Sequence, residues 1–383
     1  MYIKNIKYHR SKSGSFILPI LCAFVVAVFS FKSAAEVIIT DAESGTPLAK
    51  ASVFDKEGVF IAVSDDEGKI PSSLPASSFP LNIRYVGYQP VEVSSPDEGI
   101  ITMTESTYVL PELTVDDVSR NHLYLQAYER NYQSALDPND TISYFTERIV
   151  DFVLPLSKKA KNKGWKKGRV LGERIYTHVK QKRKDKSRDT LKYQENKNNK
   201  SYNYEMDEEF IIPEALLSGD STKVIIPGKY YPMDVWTKLG DNYVLNRDNL
   251  SDEKNHVYSP TVLKLLGGTA DFTRDEQVYN FIPDGQGHIK PDMISEVAYY
   301  YDVTLKGKVW KWVSEQKEEI PLQSYGELYI IDRAYLTADE VKELKKNPPV
   351  ISMDFSAPDG ISEPPANILK LKEEVKAKYP KAH

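Results

Sequence analysis

Cysteine is almost missing from this sequence: Cys22 is the only one in 383 residues. It lies inside the apolar run Phe16 to Phe31, which is expected to be removed, and Leu21 before it is too large for a lipid-attachment site. A mature chain without thiols has no disulfide and no thiolate metal site. Ligand-spaced histidine is missing too, since His122, His178, His256, His288 and His383 are scattered and no His-x-x-Glu follows any of them. No phosphate-cradling glycine loop, nucleophile elbow or EF-hand loop occurs. The sequence therefore points to no catalytic residue, no cofactor-binding residue and no metal. No internal repeat is visible, and beyond the first segment no apolar run is long enough to span a bilayer.

What is present begins with an export signal. Lys4, Lys7, Arg10 and Lys12 precede the apolar run, and Ser33-Ala34-Ala35 supplies small residues, so cleavage is expected after Ala35. A membrane anchor is the competing reading, but the run is shorter than the roughly 20 residues a spanning helix needs. The remaining chain is long enough for two domains. Its charge is unevenly spread: roughly seventeen lysines and arginines stand against four acidic residues between Lys158 and Lys200.

From Val37 to Val115, short β-branched segments alternate with turn residues at 8 to 12 residue intervals. Val37 to Thr40, Ala51 to Phe54, Val59 to Val63, Leu81 to Tyr85, Val91 to Val93 and Ile100 to Met103 read as strands. Asp65-Asp66-Glu67-Gly68 is a hairpin signal, and about seven strands are expected in an antiparallel sandwich. In Ile83 to Val93, "IRYVGYQPVEV", Gly87 permits a bend and Pro90 indicates an edge, while Tyr85 and Tyr88 are expected to pack rather than bind.

The order Asp41, Gly45, Pro47-Leu48, Ala51, Val53, Ser64-Asp65, Gly68, Leu81 and Tyr85-Val86-Gly87-Tyr88, closed by Leu110 to Val115, resembles the carboxypeptidase regulatory-like domain. That resemblance covers about eighty residues, here 36–117. It implies a transthyretin-like (prealbumin-like) β-sandwich, as found at the N-terminus of TonB-dependent receptors and other exported Gram-negative proteins. It implies no peptidase chemistry, because the family is an accessory domain. Val37, Ser44, Ser64 and Ile70 depart from the usual glycine, threonines and phenylalanine at structural positions only.

Residues 118–347 are expected to form an α+β domain with an antiparallel meander and short helices; Asn131-Tyr132, followed by Thr141 to Leu156 and then Lys167-Gly168-Arg169, resembles the start of an uncharacterised family found behind this sandwich in exported proteins. His122 to Tyr132 reads as a helix, with Leu125, Tyr128 and Tyr132 on one stripe. Thr141 to Leu156 fits helix or strand. Ser259-Pro260 to Gly268 reads as a short capped helix. Glu276 to Ile282, Ile294 to Leu305, Lys308 to Glu315 and Glu327 to Ile331 read as strands, with a hairpin turn at Lys306-Gly307-Lys308. Thr337 and Glu340 form a capping box for a helix from Ala338, a proline-rich segment follows, and Ile368 to Val375 is a final amphipathic helix expected to dock within the chain.

The basic tract 158–200 is expected to be a solvated, partly disordered loop. Its core, Lys182, Arg183, Lys184, Lys186 and Arg188, is the candidate partner- or anion-binding segment, and nucleic acid is set aside because an exported protein rarely meets any. Asp284-Gly285-Gln286-Gly287-His288 with Asp292 reads as a hairpin loop before a metal site. The mainly β fold and missing motifs lead to a non-enzymatic envelope protein, periplasmic or held at the outer membrane, that meets an envelope protein or surface component. Two alternatives stand beside it: a carrier of an apolar envelope component on a sheet face bearing Trp310 and Trp312, and a hydrolase using scattered carboxylates.

Overall fold

The computed structural model describes residues 36–111, 120–136, 140–160, 163–182, 187–197, 204–207, 210, 212–227, 233–250, 257–258, 267–283, 290–307 and 319–382; at strand ends 135–136, 140–142, 181–182, 187–188, 233 and 257–258 only the backbone is described. The leader, the Ser259 to Leu266 part of the expected helix, Lys308 to Glu315 with both tryptophans, and Asp284 to His288 lie outside these residues.

Two small sheets come first. β2 (Ser52–Phe54), β3 (Phe60–Val63), β4 (Leu81–Arg84) and β5 (Val91–Val93) form an antiparallel sheet of order β3-β2-β4-β5. β1 (Ile38–Asp41) and β6 (Ile100–Met103) pair beside it. That last pair is parallel, which corrects the expectation of a wholly antiparallel sandwich, and the described strands number six rather than seven. The turn chemistry holds: the Asp65 carboxylate accepts from the Glu67 and Lys69 amides, and Gly68 has φ +73°. β4 ends at Arg84, one residue early, because Tyr85 to Tyr88 closes a turn with Gly87 at φ +80°. Tyr85 and Tyr88 are buried with ring centroids 5.5 Å apart.

The rest is dominated by one eleven-stranded antiparallel sheet. Its strands are β7 (His122–Leu136), β8 (Asp140–Pro155), β9 (Trp165–Lys182), β10 (Ser187–Lys197), β11 (Lys223–Ile226), β12 (Met233–Leu239), β13 (Asn242–Asp248), β14 (Val257–Tyr258), β15 (Gly268–Phe281), β16 (Ile294–Gly307) and β17 (Ile320–Leu336). The order is β10-β9-β8-β7-β17-β16-β15-β13-β12-β11, with β14 on β15. Two meanders are thus joined where β7 pairs with β17.

The expected helix at His122 to Tyr132 is therefore a strand. A spacing of four is one helical turn but also two strand repeats, so Tyr124, Tyr128 and Tyr132 share a face in either state. Leu123, Leu125 and Ala127 are buried on the other face, and Arg130 and Glu129 are buried as ion pairs, so polar positions that looked solvated are not. Thr141 to Leu156, open in the sequence, is a strand for the same reason. The basic tract is corrected as well: β9 and β10 occupy most of it, with Glu173 and Arg174 buried in ion pairs.

The face toward the small sheets is laid down in cross-strand rows. Tyr300, Tyr325, Tyr132, Phe145, Tyr176 and Tyr193 are directly paired across six successive strands, with neighbouring ring centroids 5.2–5.9 Å apart. Two residues along, Glu327, Arg130, Glu147, Arg174 and Glu195 form a second row of alternating charge. Phe54 and Phe60 of the small sheet pack on Tyr325, at 5.5 and 5.8 Å, so one core takes side chains from both sides of residue 117. Glu36–His383 is one compact unit.

Among the described residues there are three α-helices: α1 (Glu214–Leu217), α2 (Ala338–Lys346) and α3 (Ala366–Lys378). The capping box of α2 is present as expected, with Thr337 Oγ1 accepting from the Glu340 amide at 3.2 Å. α3 docks as expected: Ile368, Leu371 and Val375 are buried in the shared core, and Lys372 Nζ lies 2.9 Å from Glu147.

The opposite face curls around Tyr204. That ring lies 6.0 Å from Phe152 of β8, and its hydroxyl 3.3 Å from Tyr279 of β15. Four strand spacings would hold Phe152 and Tyr279 about 19 Å apart in a flat sheet.

Candidate functional site

A groove of about 420 Å³ lies where the sandwich, α3 and the β8–β9 strands meet, and its size is that of a small-molecule site. Its origin is readable in the rows. Next to the aromatic row, the sheet carries Gln323, Ser134, Ser143, His178 and Leu191, and the serines leave space that the aromatics elsewhere fill. The β2–β3 turn and α3 form the other walls, with Glu57 and Val59 on the turn and Asn367, Ile368, Lys370, Leu371 and Glu374 on the helix. The turn closes on the helix because Gly58 has no side chain: a Cβ there would lie 1.7 Å from Asn367 Oδ1.

The floor holds Ser143, His178 and Lys180. Ser143 is the direct cross-strand partner of His178, whose Nε2 lies 2.6 Å from Asp189 Oδ1 on β10. The order of residue types suggests nucleophilic catalysis, but Asp189 is 69% exposed and no hydrogen bond joins Ser143 to His178 among the described contacts. Lys180 stands opposite Asp189 in register, yet that carboxylate is engaged by His178.

A second cavity, about 10 Å³, sits beneath Tyr85 to Tyr88 and has room for about one water. It is lined by Arg84, Glu296 and Glu327 among others. Burial would raise the Glu327 carboxyl, but the guanidiniums of Arg130 and Arg84, at 2.8 and 3.1 Å, outweigh it and hold it at about 2. Among the described residues no lysine or arginine pairs with Glu296. Burial pushes it up to about 7 although it accepts the Gly87 amide at 2.5 Å. Glu147 is likewise buried but is lowered by Lys372 and Arg174. These carboxylates are committed to holding layers together.

Of the sequence-selected basic residues, Lys182 closes β9 opposite Ser187 and Arg188 stands opposite Gln181, next to the groove's Lys180. Arg183, Lys184 and Lys186 lie outside the described residues. The motif residues serve the sandwich: Asp41 accepts from Ser44 N at 2.7 Å and from the Tyr88 hydroxyl at 3.1 Å, Gly45 has φ +68°, Pro47 bridges to Thr40, and Ala51 is buried. Asp292, expected in a hairpin loop, ends in a short turn where its carboxylate accepts from Tyr335. Among the described residues, no three His, Cys, Asp or Glu side chains converge on a metal site. Sequence reasoning missed Ser143 and Lys180 as a pair, since only strand register brings them to one groove.

No family model matches the chain, and no curated protein matches it. Among solved structures it is similar to lipovitellin, in a study of lipid–protein interactions, with 10% identity and a TM-score of 0.24 over 56% of this chain and 25% of that one. It is also similar to a protein from Nitrosomonas europaea described as an AttH, with 9% identity and a TM-score of 0.12 over 55% of this chain and 50% of that one. The chain thus spans a quarter and a half of their lengths. Both superpositions are too loose to bear on its fold or function.

Proposed function

We propose that the protein is an exported, non-enzymatic binding protein of a Gram-negative cell envelope, and that it takes an envelope component in the groove between α3 and the β8–β9 floor. The observation that carries this reading is the groove itself, about 420 Å³, opening at the root of the chain's most basic segment. The export signal and the resemblance of residues 36–117 to the carboxypeptidase regulatory-like domain support the compartment. In this reading the sandwich is a structural module: Phe54, Phe60 and Arg84 tie it to the large sheet, so it positions one groove wall.

The carrier alternative rests on Trp310 and Trp312, which lie outside the described residues; on the face of the large sheet opposite the sandwich, Tyr204 stacks on Tyr299 at 5.3 Å and Met206 is fully buried. A ligand there has to displace them. The hydrolase alternative rests on carboxylates; a serine nucleophile is a separate reading, and the groove would place it at Ser143. A fluorophosphonate probe is expected to leave Ser143 unmodified, and labelling lost in Ser143→Ala overturns the non-enzymatic reading.

The direct test places a photo-crosslinker at Val59 in the chain from Glu36 and recovers adducts from the envelope, with membrane and soluble fractions kept apart. One adduct is expected, and it is expected to disappear in Ser143→Trp, which fills the groove, and to weaken in Lys180→Glu, which does not touch the core. An adduct unchanged in both variants removes the groove as the site.

A further inference from the structure

The two walls of the groove differ in chemistry. The apolar lining residues Val59, Ile368 and Leu371 all come from the turn and helix side, interspersed with Glu57, Asn367, Lys370 and Glu374, while Ser143, His178 and Lys180 come from the strand side. Charges along the lining are matched with one exception. Glu57 lies 4.0 Å from Lys56, and Glu374 lies 3.9 Å from Lys370. Lys180 is exposed, and no carboxylate among the described residues pairs with it. The volume sits at the lower end of ligand sites, which suits one chain rather than a two-chain lipid.

We infer that the groove takes an amphiphilic monoanion, a single-chain carboxylate whose head meets Lys180 and Ser143 and whose apolar chain lies along Val59, Ile368 and Leu371. This rests on the reading that the groove is the binding site. One cation without a carboxylate partner selects one negative charge, because the other lysine of the groove, Lys370, already stands beside Glu374. The apolar wall supplies affinity that the exposed lysine alone cannot, since ion pairs in water are weak.

The probe is decanoate, with decanol as its neutral counterpart, titrated calorimetrically into the chain from Glu36. Decanoate is expected to bind at least tenfold more tightly than decanol. Lys180→Gln is expected to abolish that preference while leaving decanol unchanged, Ser143→Trp to abolish both, and Lys192→Gln, opposite Thr177 on β10, to change neither. Equal binding of decanol, or an unchanged preference in Lys180→Gln, overturns the inference. So does binding to phosphatidylglycerol vesicles without binding of decanoate, which assigns Lys180 to a membrane surface. If decanoate fails while the Val59 adduct persists, the ligand class is wrong and the groove reading stands; if both fail, the groove reading falls too.

Discussion

In the small sheets, β2, β3 and β4 are three or four residues long and almost wholly buried, with Arg84 the buried charge they send to the large sheet, while ion pairs at the strand ends, such as Lys69 with Glu36 at 3.0 Å, stand in water. In the large sheet, β7 to β9 run for 15 to 18 residues and are covered on both faces near their centres, so charges there have no water to fall back on. They are answered in the plane of the sheet, by the row from Glu327 to Arg174, and from above, by Arg84 of the sandwich and Lys372 of α3. The same kind of contact is thus decoration in one region and a tie between layers in the other.

The largest effect that separates the regions is expected at Glu327. Glu327→Leu leaves the buried guanidiniums of Arg84 and Arg130 without their shared carboxylate, although each keeps neutral acceptors, and is expected to cost about 3–5 kcal/mol in urea unfolding. A loss below about 1 kcal/mol would mean that the row is not what joins sandwich to sheet.

Glu296 comes next, and its effect depends on pH. Its carboxyl is raised in the folded state from 4.5 to about 7, so the folded protein holds the proton more tightly than the unfolded chain. Its contribution is fully present below about pH 4.5 and is lost as pH rises through about 7, a change on the order of 3 kcal/mol. Glu296→Gln is expected to flatten stability across that window, and an unchanged slope refutes the assignment.

Gly68→Ala tests the sandwich by backbone rather than charge. At φ +73°, with a Cβ placed 2.5 Å from the Ile39 carbonyl, it is expected to cost about 2 kcal/mol. The smallest effect is Lys69→Ala, which removes a solvent ion pair and is expected to leave the unfolding midpoint unchanged within error.

The same contrast explains what could be read in advance. Asp65 to Gly68, Gly87 and the Thr337–Glu340 cap were legible because turns and caps are local: their hydrogen bonds lie within a few residues. β15, β16 and β17 were legible in part, where β-branched and aromatic residues crowd. β7 was not, because a strand buried on both faces loses the alternation that marks a strand, and its buried Arg130 resembles a solvated residue. The candidate site was legible only as a basic segment.

By itself, the sequence determined that strands dominate, where the sandwich turns, where α2 begins, and that a basic segment stands apart from an otherwise acidic chain. Tertiary structure alone decided that Tyr132, Phe145 and Tyr176 share a row, that Lys372 answers Glu147, and that Ser143 and Lys180 border one groove. Those contacts join residues tens to hundreds of positions apart, and strand register, a property of the whole sheet, chooses among the partners that local chemistry leaves equivalent.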